Sequence, residues 1–272
     1  MNRIKNKFDE IKNSNKKALG IFITAGDPDF ETSQNIIENL PKNGVDFIEI
    51  GMPFSDPMAD GPSIQLSSQR ALKSGMNIKK CFTLVENFRK KYSDVPIILM
   101  GYFNPIYIFG KTKFIEQCKK SGVDGLIIVD LPPEEDEELY IEAESKNISC
   151  IRLVTPTTNN KRLGKILSKA TGFIYYVSIT GITGTEAPKL EDVSNNIKNV
   201  KSYTDLPVVV GFGIRSPKQA FSMSQISDGV VIGSAVVDLI KESLDEKGNK
   251  TAKTINSCLD FINKVSKEMK LN

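Results

Sequence analysis

Apolar positions along this chain fall into two alternating patterns. Short runs that stay apolar at consecutive positions read as strands: Leu19–Thr24, Phe47–Ile50, Ile97–Met100, Gly125–Val129, Ser149–Leu153, Phe173–Val177, Val208–Val210 and Gly229–Ile232. Between them apolar residues recur every three or four positions, the spacing of helices. These segments are Phe30–Lys42, Ile64–Lys73, Ile78–Lys91, Thr112–Lys120, Glu134–Ser145, Lys161–Lys169, Leu190–Tyr203 and Pro217–Ser224. Strands apolar on both faces belong to a parallel sheet covered by helices. Strand followed by helix, repeated along the whole chain, is the order of a closed (β/α)8 barrel or of an open doubly wound sheet. The open sheet carries a glycine-rich turn after its first strand; here that turn is Thr24-Ala25-Gly26-Asp27-Pro28. No linker or break in composition divides the 272 residues, and a single barrel needs roughly 250. The pattern therefore predicts one α/β domain over 1–272, a (β/α)8 TIM barrel. Residues 1–17 add an N-terminal amphipathic helix, with Ile4, Phe8 and Ile11 on one face. Asp9 and Glu10 among its lysines argue against a transit peptide.

A barrel of this kind builds its active site from the loops at the carboxyl ends of its strands. Those loops are where Gly, Pro, Asp and Thr gather here, while the opposite turns (Asn43-Gly44-Val45, Ser121-Gly122-Val123) are plainer. Glu49 interrupts an apolar strand. Period-two alternation puts it on the face of Phe47, opposite Ile48 and Ile50. If the isoleucines meet helices, the carboxyl points into the barrel mouth, where desolvation raises its pKa and lets it give and take a proton. The alternative is a structural ion pair, but no basic residue sits at a matching strand end. Asp60 lies in a loop from Gly51 to Pro62 that Pro53, Pro57 and Pro62 stiffen. It and Asp56 could instead form Asx-turns or cap the next helix. Glu49 and Asp60, from adjacent parts of one mouth, are the candidate acid and base.

Composition narrows the chemistry. There is no histidine, which removes Ser-His and Cys-His nucleophiles and His-ligated metal sites. Lys+Arg number 36 against Asp+Glu 33, scattered along the chain, so there is no nucleic-acid footprint. Cys81, Cys118, Cys150 and Cys258 lie far apart, forming neither a zinc ribbon nor a disulfide framework; they suit reduced thiols in a cytoplasmic compartment. No apolar stretch approaches the ~18 residues of a membrane helix.

Phosphate binding stays open. Glycine-bearing turns occur at Gly181-Ile182-Thr183-Gly184, Gly211-Phe212-Gly213 and Gly233-Ser234. The last two follow the seventh and eighth strands, where barrel enzymes hold phosphate on backbone N–H groups and a helix N-terminus. Phe22, Met100, Tyr102, Ile127, Val129, Leu153, Tyr175, Phe212 and Ile232 fall at or just after strand ends. Each alone is at home in a barrel core; together they would wall a flat apolar pocket between the carboxylates and the cradle.

The stretch from Phe47-Ile48-Glu49-Ile50-Gly51 through Asp56-Pro57-Met58-Ala59-Asp60-Gly61-Pro62 resembles the signature of the tryptophan synthase alpha chain. Met100–Ile106, Asp130–Glu135, Tyr175–Ser178, Thr180–Gly184 and Gly211–Ile214 follow in the family's order over nearly the whole chain. The resemblance implies a TIM barrel that cleaves indole-3-glycerol phosphate to indole and glyceraldehyde 3-phosphate. It also implies an alpha2beta2 tetramer with a separate beta chain, which carries pyridoxal phosphate, while the alpha chain has no cofactor of its own. By the resemblance Glu49 protonates the indole C3 and takes the side-chain hydroxyl proton, Asp60 holds the indole N–H, and Tyr175 lies beside the reacting centre. Gly184, Gly213, Gly233 and Ser234, with Thr183 nearby, match phosphate and substrate positions. Phe22, Met100, Tyr102, Ile127, Leu153, Phe212 and Ile232 match the indole pocket.

Pro53 to Pro57 with Asp56, Asn104-Pro105 and Pro132 are expected to dock the beta chain, since rigid apolar loops lose little entropy on binding. The implied location is the cytoplasm, or an organelle stroma. The chain departs from the family at Ile179, where many members carry arginine, in a loop over 178–188 expected to move as a lid. Met52 replaces a valine or alanine, and Arg215 a small hydroxyl residue. Competing readings are another phosphate-handling barrel of histidine or tryptophan biosynthesis, a non-catalytic activating subunit, and a free-standing indole-releasing lyase. Intact Glu49, Asp60 and Tyr175 weigh against the second.

Overall fold

The computed structural model describes residues 2–178, 189–211 and 213–270. Its strands are Ala18–Thr24 (β1), Phe47–Gly51 (β2), Ile97–Gly101 (β3), Gly125–Ile128 (β4), Ser149–Cys150 (β5), Arg152–Val154 (β6), Ile174–Val177 (β7), Val208–Gly211 (β8) and Gly229–Ile232 (β9). All pair in parallel, in the order β5-β4-β3-β2-β1-β9-β8-β7-β6. β5 and β6 are two parts of one extended stretch, so the sheet curls round and meets itself there as a barrel.

The pattern predicted one strand over Ser149–Leu153. It divides at Ile151 because the backbone changes partner: Leu126 pairs with Cys150, whereas Arg152 pairs with Ile174. Above the break, the Ile128 N–H donates to the Tyr140 hydroxyl (3.0 Å) in place of a neighbouring strand.

The α-helices are Arg3–Asn13 (α1), Phe30–Asn39 (α2), Pro62–Lys73 (α3), Ile78–Arg89 (α4), Phe103–Phe109 (α5), Lys111–Ser121 (α6), Tyr140–Ser145 (α7), Asn160–Leu167 (α8), Leu190–Lys201 (α9), Pro217–Ile226 (α10), Ser234–Glu242 (α11) and Thr254–Glu268 (α12). α2 is shorter than expected because Pro41 cannot donate in a helix interior, and a 3-10 turn over Pro41–Asn43 replaces its end. Glu134–Ser145 is also not continuous. A 3-10 segment over Pro133–Glu138 and α7 meet at Leu139, whose φ is −153°, which turns Asp136 and Tyr140 inward toward Arg152. No helix among the described residues is long and apolar enough to cross a membrane.

Strand alternation divides the core in two. Inward-facing side chains such as Phe22, Phe47, Ile98, Met100, Ile127, Phe173, Tyr175, Val209 and Val231 fill the barrel lumen. Ile21, Ile23, Ile48, Ile50, Leu99 and Leu126 join the apolar faces of the helices. α1 closes the amino end of the barrel with Ile4, Phe8 and Ile11; the rings of Phe8, Phe47 and Phe173 meet there with centroids 5.3–5.9 Å apart.

The same end carries a repeated polar clamp. Asp46, just before β2, accepts the Leu19 N–H on its carboxylate (2.8 Å) and donates its own N–H to the Leu19 carbonyl (2.8 Å). Asp124 does this with Ile97, Asp228 with Val208, and the Thr171 hydroxyl with Cys150. Each clamp satisfies the first or second N–H of one strand from a residue that leads into its neighbour. These clamps all lie at the amino end of the barrel, away from the loops at the carboxyl end.

Candidate active site

On β2, Ile48 and Ile50 pack against helices and Phe47 into the lumen, so Glu49 projects into the lumen, between Phe22 on β1 and Ile98 on β3 in register. Its side chain is fully buried, and neither carboxyl oxygen has a hydrogen-bond partner among the described residues. Burial alone pushes its pKa up to about 8. A carboxyl in this state is largely protonated at neutral pH yet ionisable, which suits a group that must donate and then recover a proton. The structural ion pair does not form. Arg152 is a basic residue at the start of β6, but it is no match for Glu49, because it faces the helix layer. There it pairs with Asp136 and lies over the Tyr140 ring, 4.1 Å from its centroid.

Tyr175, on β7, enters the lumen between Leu153 and Val209 in register. Its ring crosses Gly211: a Cβ there would lie 2.1 Å from the Tyr175 hydroxyl oxygen, so only glycine leaves room. Burial first, and then the charge of Glu49, raise the tyrosine pKa well above its ordinary value. The hydroxyl thus stays protonated beside the carboxyl.

Asp60 is held by three contacts. The Tyr102 hydroxyl, just beyond β3, hydrogen-bonds its carboxylate and accepts the Ala59 N–H (3.1 Å). Gln65 Nε2, on α3, donates to the Asp60 carbonyl (2.8 Å), and the Asp60 N–H donates to Pro57 (3.1 Å). α3 starts after Gly61 with no side-chain cap, so neither Asp60 nor Asp56 acts as one. Burial raises the Asp60 pKa to about 6 against the lowering effect of the Tyr102 hydrogen bond.

A cleft at the carboxyl end is lined by Asp60 with Phe22, Thr24, Gly51, Met52, Ile64, Ser68, Met100, Gly101, Tyr102 and Val129. Ile127, Tyr175 and, half-buried, Leu153 lie in the lumen cluster that also contains Phe22 and Met100. Thr24, Ile64 and Ser68 were not singled out from the sequence. The available signal was Ser67-Ser68 on the buried face of α3, where small polar residues have no packing reason to be; Ser67 hydrogen-bonds Thr24 (2.6 Å). Ile232 needs correcting. It is aligned with Ile21 and packs with the helix-facing cluster, while Val231, aligned with Gly20, takes the inward place. Alternation on β9 decides this.

Gly213 adopts φ +75°, a left-handed conformation that favours glycine. Ser234 opens α11 behind Gly233, with no side-chain cap and no acid in the first turn. A Cβ on Gly233 would lie 3.2 Å from the Phe22 Cβ, so this uncapped helix start abuts the cleft wall. Its free N–H groups are what an anion needs. Ile179, Thr183, Gly184 and Phe212 lie outside the described residues. On the rim, Asp56 and Pro132 are exposed and Pro53 half-buried in the loops after β2 and β4, and Asn104 is exposed in the first turn of α5, after β3. Asp130 ties two of these loops together by accepting the Phe103 N–H (2.8 Å).

The tryptophan synthase alpha chain family matches residues 8–266. The structure is similar to tryptophan synthase subunit alpha from Legionella pneumophila str. Paris, at 36% identity over 99% of this chain and 98% of that one, with a TM-score of 0.90. A protein from Aquifex aeolicus VF5 is 38% identical over 98% and 99% of the two chains, with a TM-score of 0.88. Tryptophan synthase from M. tuberculosis is 28% identical over 99% and 100%, with a TM-score of 0.86. With a match over nearly its full length and a barrel of the same shape, the chain belongs to the tryptophan synthase alpha chain family.

Proposed function

We propose that this chain carries out the family's lyase reaction, cleavage of indole-3-glycerol phosphate to indole and glyceraldehyde 3-phosphate, with Glu49 and Asp60 as the reacting carboxyls. Protonated Glu49 gives its proton to C3 of the indole ring. Positive charge then develops at the ring nitrogen, and the Asp60 carboxylate, tethered by Tyr102, accepts a hydrogen bond from the N–H. The resulting Glu49 carboxylate takes the proton of the side-chain hydroxyl next to C3. The carbon–carbon bond breaks, its electron pair restores the indole double bond, and the hydroxyl carbon leaves as an aldehyde. Glu49 ends protonated, as it began. Tyr175 lines the reacting centre, and Phe22, Met100, Tyr102, Ile127 and Leu153 hold the ring, with Val231 in the place expected of Ile232. Backbone N–H groups at Gly213, Gly233 and Ser234, together with Gly184 and Thr183, receive the phosphate.

The reading extends to the partner. A beta chain carrying pyridoxal phosphate would dock on the rim bearing Pro53, Asp56, Asn104 and Pro132, completing an alpha2beta2 tetramer in the cytoplasm and taking the indole. Met58, Tyr107 and Ile108, exposed at 72%, 62% and 76% on the loop before α3 and on α5, give that rim apolar surface to bury. The observation that carries the function is Glu49: a lumen carboxyl, fully buried and with no hydrogen-bond partner among the described residues, has no structural use there. Its test is indole release by Glu49→Gln and Asp60→Asn. Each variant should lose at least about 10²-fold in rate with the fold intact. Near-parental rates in either would end the assignment of that residue.

A further inference from the structure

The reaction above gives Arg215 nothing to do. Its guanidinium forms an ion pair with Asp238, linking the loop after β8 to α11. Its backbone N–H donates to Gln219 Oε1 (2.8 Å) at the start of α10, which fixes the residue's place. Asp238 follows Ser234 by one helical turn, so the two side chains share a face of α11 about 6 Å apart. Side chains on a helix lean toward its N-terminus, so the Asp238 carboxylate leans toward the uncapped turn that abuts the cleft wall at Phe22. The side chain of Asp238 is 20% exposed and that of Arg215 57%. The arginine is therefore the outer member of the pair, covering the acid.

An acid one turn into a helix that receives a phosphate dianion is unfavourable for that anion. We propose that Arg215 is a positioning residue for the substrate's phosphate: by neutralising Asp238 on α11 it keeps the phosphate-receiving helix start attractive to a dianion. This rests on the phosphate site assigned above. Two charges on the phosphate and one on the uncovered carboxylate, about 7 Å apart near the surface, would weaken binding roughly threefold at physiological ionic strength and roughly tenfold at low salt.

The test is steady-state kinetics of indole release by the parent chain, Arg215→Ala, Asp238→Asn and the double variant, at low and physiological salt. Arg215→Ala should raise the KM for indole-3-glycerol phosphate by those factors while kcat and its pH profile hold. Asp238→Asn alone should leave KM at or below the parental value. The double variant should return KM to within about twofold of the parent, because the two residues act only through each other. Indole-3-glycerol, which lacks the phosphate, should be cleaved with the same kcat/KM by the parent and Arg215→Ala. The proposal is overturned if Arg215→Ala leaves KM unchanged at low salt, or if the double variant binds as weakly as Arg215→Ala. A parent chain that releases no indole at all would instead overturn the function, independently of the variants.

Discussion

Glu49→Gln should stabilise this protein while abolishing its chemistry. The Glu49 carboxyl is buried with no hydrogen-bond partner among the described residues, and burial pushes its pKa up to about 8 in the folded chain, against an ordinary value of 4.5. Below pH 4.5 the group is neutral in both folded and unfolded chains and costs nothing. Between these values the unfolded chain loses the proton and the folded chain keeps it, so folding stability falls by about 1.4 kcal/mol per pH unit. By pH 7 the loss amounts to about 3 kcal/mol, and it stops growing above pH 8. Glutamine has nearly the same shape and no charge, so the variant escapes this loss. Urea unfolding at pH 5, 7 and 8 should show parent and variant within about 1 kcal/mol at pH 5, with the variant ahead by about 3 kcal/mol at pH 7 and more at pH 8. Activity should be lost at every pH, a direct exchange of stability for function. Equal stabilities at pH 8, or a difference that does not change with pH, would refute the claim that Glu49 is a desolvated, unpaired acid.

Other consequences follow from particular contacts. Tyr102→Phe removes the hydrogen bond that lowers the Asp60 pKa, so the acidic limb of the kcat/KM profile should move to higher pH; an unmoved limb would mean that the hydroxyl does not reach the carboxylate. Gly211→Ala sets a Cβ where the Tyr175 hydroxyl now lies, 2.1 Å away, and should depress kcat with secondary structure retained by circular dichroism. Asp124→Ala strips partners from Arg3 (2.8 Å), Arg89 (2.6 Å) and the Ile97 N–H (2.8 Å) at once. It should destabilise the chain by about 3–5 kcal/mol in denaturant unfolding, whereas Asp46→Ala, which uncouples chiefly the Leu19 N–H, should lose about 1–3 kcal/mol.

Strands were the most legible part of this chain because a parallel sheet covered on both sides needs runs such as Ile97–Met100 that are apolar without interruption. That same demand made Glu49 visible, since a charge in such a run has to be bought by function. α5 escaped notice because Phe103–Phe109 has Asn104 as its one polar side chain and exposes the apolar Tyr107 and Ile108, and so shows no helical period. Inward or outward direction on β9 was equally hidden, because Val230, Val231 and Ile232 are chemically alike and only register separates them. The division at Ile151 depends on partners distant in sequence. Asp60 could be picked from its proline-stiffened loop, but the Tyr102 and Gln65 contacts that distinguish a placed carboxylate from a helix cap appear only in three dimensions.

The central claim is that a proton delivered by Glu49 to C3 of the indole ring breaks the carbon–carbon bond. It is tested most directly by letting the purified chain cleave indole-3-glycerol phosphate in D2O and reading the products by NMR. The account predicts indole and glyceraldehyde 3-phosphate in equal amounts, with deuterium incorporated at C3 of the indole. Absence of indole, or indole whose C3 hydrogen does not come from the solvent-exchanged acid, would contradict it.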